Sequence, residues 1–351
     1  MAQQNISTIG IVGSGKMGKS LFNYLTKYNY SIIWICRSNH VENKNKYERK
    51  LARYKNSGAL PNEEYEFKTA NTIITDNHEQ LTKCDIVIET ITENTDYKNT
   101  LFDNIYPFLN PFCILTSNSS SIIPDNFNLM VNVKRRFAGL HFFFPAETNS
   151  IAELIPTKHT SKKTIKSLQV FCKSINKYVF TQNYKTAFFV NRFFLEIQAG
   201  LFNYCQKHNI GFDTADMLIK EHLFPVGIFE MMDEIGPETL LYSINNYKKQ
   251  GATLNETKPL TNFLNQKPSR QLVVSSQSRV YSGAVGSRQL AVGSRQSAVE
   301  KQDCILKFVN NLFYKTAEHF IETQGITEDE LLLIISEYTK SEYNPLYLQK
   351  S

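Results

Sequence analysis

Residues Thr8 to Gly18, TIGIVGSGKMG, constrain the fold of this chain more than any other stretch. The apolar run Ile9–Val12 reads as a buried parallel strand. It leads straight into Gly13-Ser14-Gly15-Lys16-Met17-Gly18, a G-x-G-x-x-G loop, and a helix-compatible segment, Lys19 to Lys27, follows. Gly13 permits the tight turn out of the strand, and Gly15 has no side chain to block a pyrophosphate. Gly18 lets the helix pack close to the sheet, its N-terminal N–H groups aimed at phosphates. A glycine turn can arise by chance. The strand before it and the helix after it point to a dinucleotide-binding domain.

The rest of the first half supports that reading. Ser31–Cys36, Thr72–Thr75, Asp85–Glu89 and Cys113–Ser117 read as further buried strands. Val41–Asn56 and Asn94–Leu109 read as helices, the latter with Leu101, Ile105 and Phe108 at helical spacing. The alternation predicts a doubly wound α/β sheet of the Rossmann type with helices on both faces. Arg136–Phe144 and Ser150–Ile155 add two strands, Lys162–Ile175 a helix and Tyr178–Thr181 a last strand. From Ala187 onward the pattern is helical: Ala187–His208, Phe212–Glu221, Pro237–Lys249, Cys304–Gln324 and Thr327–Tyr338. Thr327 is the expected N-cap of the last of these. The expected organisation is a dinucleotide-binding domain over 1–183, a helical domain over 184–266, an insertion over 267–301 and a helical segment over 302–351. The insertion contains AVGSRQL followed by AVGSRQS, a tandem seven-residue repeat. Its Gly and Ser content makes a poor coiled-coil seam, so a flexible low-complexity linker is expected.

A length of 351 residues accommodates two domains, and 42% hydrophobic with 21% charged residues is the balance of a soluble globular protein. The net charge of +6 is too mild to point to nucleic acid. Six cysteines without a C-x-x-C pair read as reduced thiols, and seven histidines show no zinc spacing, so no metal is expected. Met1–Ser7 is polar, and no run approaches membrane-spanning length. The expectation is a cytoplasmic protein with no membrane partner.

Four further segments carry groups suited to chemistry. Glu89, Glu93 and Lys98 sit at or just past the fourth strand, where polar groups can hold a ribose or carboxamide, or simply begin a solvated helix. The hydroxyl cluster Thr116–Ser121 is either a turn or a donor set for a substrate oxygen. His141 ends an apolar run, and Glu153 lies in a strand that can fold back beside it. A carboxylate on one imidazole nitrogen fixes the tautomer and leaves the other nitrogen for proton transfer. Asn191, in FVNR at the start of the long helix, is either a helix–helix contact or a substrate contact.

GSGKMG, DIVIETITEN, SNSSS, GLHFFFP, ELIPT, FFVNR and GIFEMMDEIG together resemble the L-3-hydroxyacyl-CoA dehydrogenases, in that family's order, over about residues 6 to 245. Cys304–Pro345 resembles a shortened form of the helical unit that closes the larger multifunctional members, and the expectation is a member without a hydratase portion. The resemblance implies interconversion of 3-hydroxyacyl-CoA and 3-oxoacyl-CoA by hydride transfer with NAD. His141 is then the general acid/base, Glu153 its orienting carboxylate, and Ser120 and Asn191 contacts to the substrate oxygen. Gly13, Gly15, Lys16, Met17, Gly18, Glu93, Lys98 and Asn118 fall on cofactor-binding positions. The basic stretch with Lys46, Arg49 and Arg53 lies where the family meets coenzyme A phosphates, or is a solvated basic helix.

Two departures stand out. Phe144 replaces the Asn of HFFNP, removing a polar group near His141. At the end of the second strand, where an acid normally binds the ribose hydroxyl, the chain has Cys36 followed by Arg37. Without the acid a 2′-phosphate meets no repulsion, and Arg37 offers it a charged donor, so the expected cofactor is NAD or NADP. Two other readings stand beside the leading one: a dehydrogenase of a small free 3-hydroxy acid, and a non-catalytic scaffold of the same fold. The phenylalanines at 188, 189, 193, 194 and 202 offer more apolar surface than a small domain easily covers, which predicts a homodimer, although burial against the first domain would explain the same residues.

Overall fold

A computed structural model describes residues 6–182, 188–249, 254, 257–266, 292–324 and 326–346, with backbone alone at 292–301 and 324. It divides into two compact units, Met1–Phe188 and Phe189–Ser351.

The first unit is built on β1 (Thr8–Val12), β2 (Ser31–Ile35), β3 (Thr72–Thr75), β4 (Ile86–Glu89), β5 (Ile114–Ser117), β6 (Phe137–Phe142), β7 (Ile151–Pro156) and β8 (Tyr178–Thr181). Its helices are α1 (Lys16–Leu25), α2 (His40–Asn56), α3 (Asn62–Asn71), α4 (Thr95–Ile105), α5 (Val131–Lys134) and α6 (Lys162–Ser174). The strands form one eight-stranded sheet in the order β3-β2-β1-β4-β5-β6-β7-β8. β1 to β6 are parallel, and β7 folds back antiparallel to β6. The central strands are apolar on both faces because helices cover both. On one face Phe22 of α1 stacks on Trp34 of β2 with ring centroids 4.4 Å apart. On the other, Phe102, Phe127 and Phe137 meet edge to face at 5.3 to 5.9 Å.

Local differences from the sequence reading have simple causes. α4 stops at Ile105 and a tight turn, Tyr106–Phe108, replaces its last residues, because Pro107 cannot donate to a continuing helix. It buries Phe102 and the expected Ile105, while Leu101 is only half-buried. α3 was not expected. Pro61 ahead of it and Glu63 and Glu64 in its first turn are the signals that mark it.

The second unit contains α7 (Phe189–His208), α8 (Phe212–His222), α9 (Ile228–Ile235), α10 (Pro237–Lys249), α11 (Thr257–Asn265), α12 (Val292–Gln324) and α13 (Glu328–Thr339). Thr327 caps α13 as expected: its hydroxyl accepts from Glu330 N at 3.2 Å while the Glu330 carboxylate accepts from Thr327 N at 3.1 Å. Of the expected linker, 267–291 lies outside the described residues. Residues 292–301 are instead the opening turns of α12. Extending a formed helix adds one hydrogen bond per residue without a new nucleus, and Arg295, Gln296 and Ala298 are compatible with it.

Of the phenylalanines behind the homodimer expectation, Phe188 belongs to the first unit and meets His141, and the others lie in the second unit, where they have aromatic partners. Phe193 packs on Phe313 and Phe320 of α12, and Phe202 on Phe212 and Phe263. Among the described residues no helix is long and apolar enough to cross a membrane.

Truncating the aromatic cluster tests its weight in the first unit. Phe137→Ala is expected to cost about 3–5 kcal/mol in urea unfolding. A loss under about 1 kcal/mol would mean that Phe102 and Phe127 close the space.

Candidate active site

In register, Val12 pairs with both Ile35 and Glu89, Glu89 with Ser117, and Ser117 with Gly139. The carboxyl ends of β1, β2, β4 and β5 are therefore level, and their loops open on one edge of the sheet. β6 runs past that level by the three residues that include His141. Strand order reverses between β1 and β4, where an open α/β sheet forms its binding crevice.

The glycine loop has the shape that its sequence requires. Gly13 has φ +123°, a conformation that side chains resist, and its N–H donates to Ile35 O at 3.0 Å. Trp34 Nε1 donates to Gly13 O at 2.8 Å and fixes the turn from β2. A Cβ on Gly18 would lie 2.1 Å from Gly13 O, so α1 can approach β1 only with glycine there. A Cβ on Gly15 would meet nothing within 4 Å, which leaves the first turn of α1 open to a pyrophosphate. Lys16 is exposed beside it, and Met17 packs on the sheet's apolar cluster. These residues fit a dinucleotide.

At the end of β4, Glu89 is 0% and Lys98 1% exposed. Lys98 Nζ contacts Glu89 Oε1 at 2.6 Å, Glu93 Oε2 at 3.5 Å and the Ile91 carbonyl at 3.3 Å. Ser117 Oγ donates to Glu89 Oε2 at 2.6 Å. Burial pushes the Glu89 carboxyl up, against the pull of Lys98 and Ser117. Lys98, expected among the cofactor contacts, is thus enclosed between two carboxylates. Glu93 Oε1 accepts from Ser119 Oγ at 2.6 Å, from Ser120 N and Ser121 N at 2.9 Å each, and from Ser121 Oγ at 3.0 Å. It holds the serine loop by its backbone and leaves Ser120 half-buried with Oγ 3.4 Å from the same oxygen. Burial raises the Glu93 carboxyl, but Lys98 and the serine donors outweigh that and hold it below the usual carboxylate range. Asn118 joins this loop to β6, since its N–H donates to Glu89 O at 2.8 Å and its Oδ1 accepts from Phe142 N at 2.7 Å.

His141 and Glu153 face each other across the β6–β7 pairing. His141 is 5% and Glu153 1% exposed, with Nδ1 to Oε2 at 2.7 Å. The Phe143 ring lies against the imidazole with centroids 4.5 Å apart, and Phe188 meets its edge at 6.0 Å. Phe144 is 57% exposed, so the chain presents an apolar side chain to solvent where the resembled motif has an amide. The sequence reading missed Gln182, whose Nε2 donates to Glu153 Oε1. No local pattern marks it, because the contact depends on β8 pairing with β7.

Cys36, Arg37 and the basic residues of α2 are outside this hydrogen-bonded group. Cys36 is buried, its thiol pushed up to about 11 by burial against the opposing contact from Asn43, while Arg37 is exposed just beyond β2. Lys46, Arg49 and Arg53 are exposed on α2: Lys46 is tied to Glu42, Arg49 Nε donates to Asn45 O at 3.1 Å, and Arg53 lies over Tyr54. Asn191 stands in the first turn of α7, in the second unit.

The depressed Glu93 carboxyl has a pH signature. Its unfolded value lies near 4.3, so its contribution is complete above about pH 5 and is lost as pH falls through the lower folded value. Thermal melts between about pH 5 and pH 3 are expected to show a steeper loss for the parent than for Glu93→Gln. Equal slopes would remove Glu93 from the acid response.

The family model for the 3-hydroxyacyl-CoA dehydrogenase NAD binding domain matches residues 8–183, and that for the 3-hydroxyacyl-CoA dehydrogenase C-terminal domain matches 188–273. Human mitochondrial hydroxyacyl-coenzyme A dehydrogenase is 27% identical over 270 residues, 74% of this chain and 86% of that protein. A probable 3-hydroxyacyl-CoA dehydrogenase of Caenorhabditis elegans is 28% identical over 75% of this chain and 92% of its own length. The crystal structure of 3-hydroxybutyryl-CoA dehydrogenase from Escherichia coli superposes with TM-score 0.74 at 15% identity, over 99% of this chain and 92% of that one, a likeness of fold. With both domain models matched in order and the glycine loop and the His–Glu pair in place, the chain belongs to the 3-hydroxyacyl-CoA dehydrogenase family.

Proposed function

We propose that the protein interconverts 3-hydroxyacyl-CoA and 3-oxoacyl-CoA with a nicotinamide dinucleotide. The observation that carries this reading is the buried His141–Glu153 pair, 2.7 Å apart, on a strand that runs just past the level of the glycine loop. Gly13, Gly15 and Gly18 hold the pyrophosphate at the start of α1, with Lys16 and Met17 beside it. When bound, the nicotinamide supplies the hydride acceptor or donor.

In oxidation, Nε2 of His141 takes the proton of the substrate hydroxyl as the carbon loses hydride and the C–O bond becomes C=O. In reduction it returns that proton. Glu153 on Nδ1 fixes the tautomer that leaves Nε2 available and compensates the imidazolium charge once the proton has moved. Ser120, its N–H fixed by Glu93, turns its hydroxyl hydrogen from that carboxylate to the substrate oxygen, and Asn191 helps hold it. Phe143 and Phe188 keep water from the imidazole. Lys46, Arg49 and Arg53 meet coenzyme A phosphates from the exposed face of α2.

The cofactor choice turns on Cys36 and Arg37. A buried neutral thiol replaces the ribose-binding acid, and an exposed arginine follows it. Neither opposes a 2′-phosphate, so NADP(H) is accepted alongside NAD(H).

A nicotinamide absorbance assay with acetoacetyl-CoA tests the reaction. Turnover is expected, and His141→Ala is expected to lower kcat by about 10²–10⁴-fold. No turnover from folded protein that binds cofactor would reject the reading. Run with both reduced cofactors, the same assay should show turnover with NADPH, and Arg37→Asp should lower NADPH turnover relative to NADH by about 10-fold or more. Turnover with NADH and none with NADPH would overturn the assignment.

A further inference from the structure

The His141–Glu153 contact alone leaves the carboxylate underdetermined. The terminal torsion of a glutamate is broad and roughly two-fold, so one hydrogen bond to one oxygen does not fix the plane of the group. Gln182 supplies a second anchor. It is buried, it follows the last residue of β8, and its backbone N–H donates to Leu154 O at 2.9 Å. That bond extends the β7–β8 pairing by one residue beyond Thr181↔Leu154 and fixes the backbone from which the side chain departs. The Gln182 amide then donates Nε2–H to Glu153 Oε1 while Oε2 faces His141 Nδ1. The amide orientation follows from charge, because its oxygen would repel a carboxylate and its nitrogen is attracted to one.

We infer that Gln182 is a positioning residue for proton transfer: it clamps the far oxygen of Glu153 so that the near oxygen holds His141 with Nε2 turned to the reacting oxygen. The inference rests on the reading of His141 as the acid/base group. Among the described contacts, the Gln182 side chain meets Glu153, whose other oxygen meets Nδ1 of His141. It acts through Glu153, across strands β6, β7 and β8, so the outer part of the sheet serves as the support of the catalytic pair.

The test uses the isosteric Gln182→Met, which keeps side-chain volume and removes the donor, in the full-length chain. In the cofactor-free protein, the downfield proton of His141 Nδ1–H is assigned by its loss in His141→Ala. It is expected to exchange with water faster in Gln182→Met than in the parent. With acetoacetyl-CoA, kcat is expected to fall about 10-fold with KM for the acyl-CoA and affinity for the nicotinamide cofactor unchanged. Gln182→Glu, which sets an acceptor against Glu153, is expected to lose more than Gln182→Met. Should Gln182→Met fail to fold, Gln182→Asn keeps the amide on a shorter stem and is expected to show the same two changes. Unchanged exchange of the Nδ1 proton with kcat within about 2-fold of the parent would overturn the inference, as would equal losses in kcat and cofactor affinity. Absence of turnover in the parent would instead reject the acyl-CoA reading, while the proton-exchange result still reports on the clamp.

Discussion

The site is built outward from a carboxyl–ammonium contact that solvent does not reach. Glu89 and Lys98 are 0% and 1% exposed, so neither group can satisfy itself with water, and each must be met by the other or by a neighbour. Lys98 spans Glu89 and Glu93, Ser117 completes Glu89, and Glu93 gathers the backbone N–H groups of Ser120 and Ser121. Asn118 extends the chain of contacts to Phe142, next to His141. The loops after β4 and β5 and the end of β6 are thereby held by one network, and its members cannot shift singly.

The other half of the site depends on strand direction. β1 to β6 are parallel and deliver their loops to one edge, whereas β7 turns back. Antiparallel pairing puts His141 directly opposite Glu153, and the two side chains meet because directly paired residues share a face. β8 then runs parallel to β7 and brings Gln182 to the same carboxylate. Two strands and the residue just past a third thus contribute one side chain each to a single chain of hydrogen bonds, and groups on or next to strands are positioned better than groups on free loops.

The second unit solves a packing problem. Phe193, Phe194 and Phe202 of α7 would be a liability on an isolated helix, and helices α8, α11, α12 and α13 cover them. One helix boundary there is tertiary in origin. Asp216 of α8 accepts from Phe229 N at 3.0 Å and Glu230 N at 2.8 Å, so it caps the start of α9 from another helix. Gly227 at the N-cap has no side chain to offer, and the local support is the Glu230 carboxylate accepting from Gly227 N at 3.3 Å, so the sequence carries little sign of where α9 begins.

Much of the fold and part of the site were written in local pattern. The glycine loop, the strands from β1 to β8 and the Thr327 cap depend on neighbours a few residues away, and backbone sterics and burial fix them wherever they occur. The pairing of His141 with Glu153 was foreseeable because the two lie close in sequence on adjacent strands. Tertiary structure decided the rest. Lys98 is enclosed rather than open, Gln182 reaches Glu153 from 29 residues away, and the phenylalanines of α7 are met by helices far along the chain. Such contacts follow from which strand lies beside which and which helix covers which face. A run of letters specifies its own periodicity, but the partner of a buried polar group is set only when distant segments close around it.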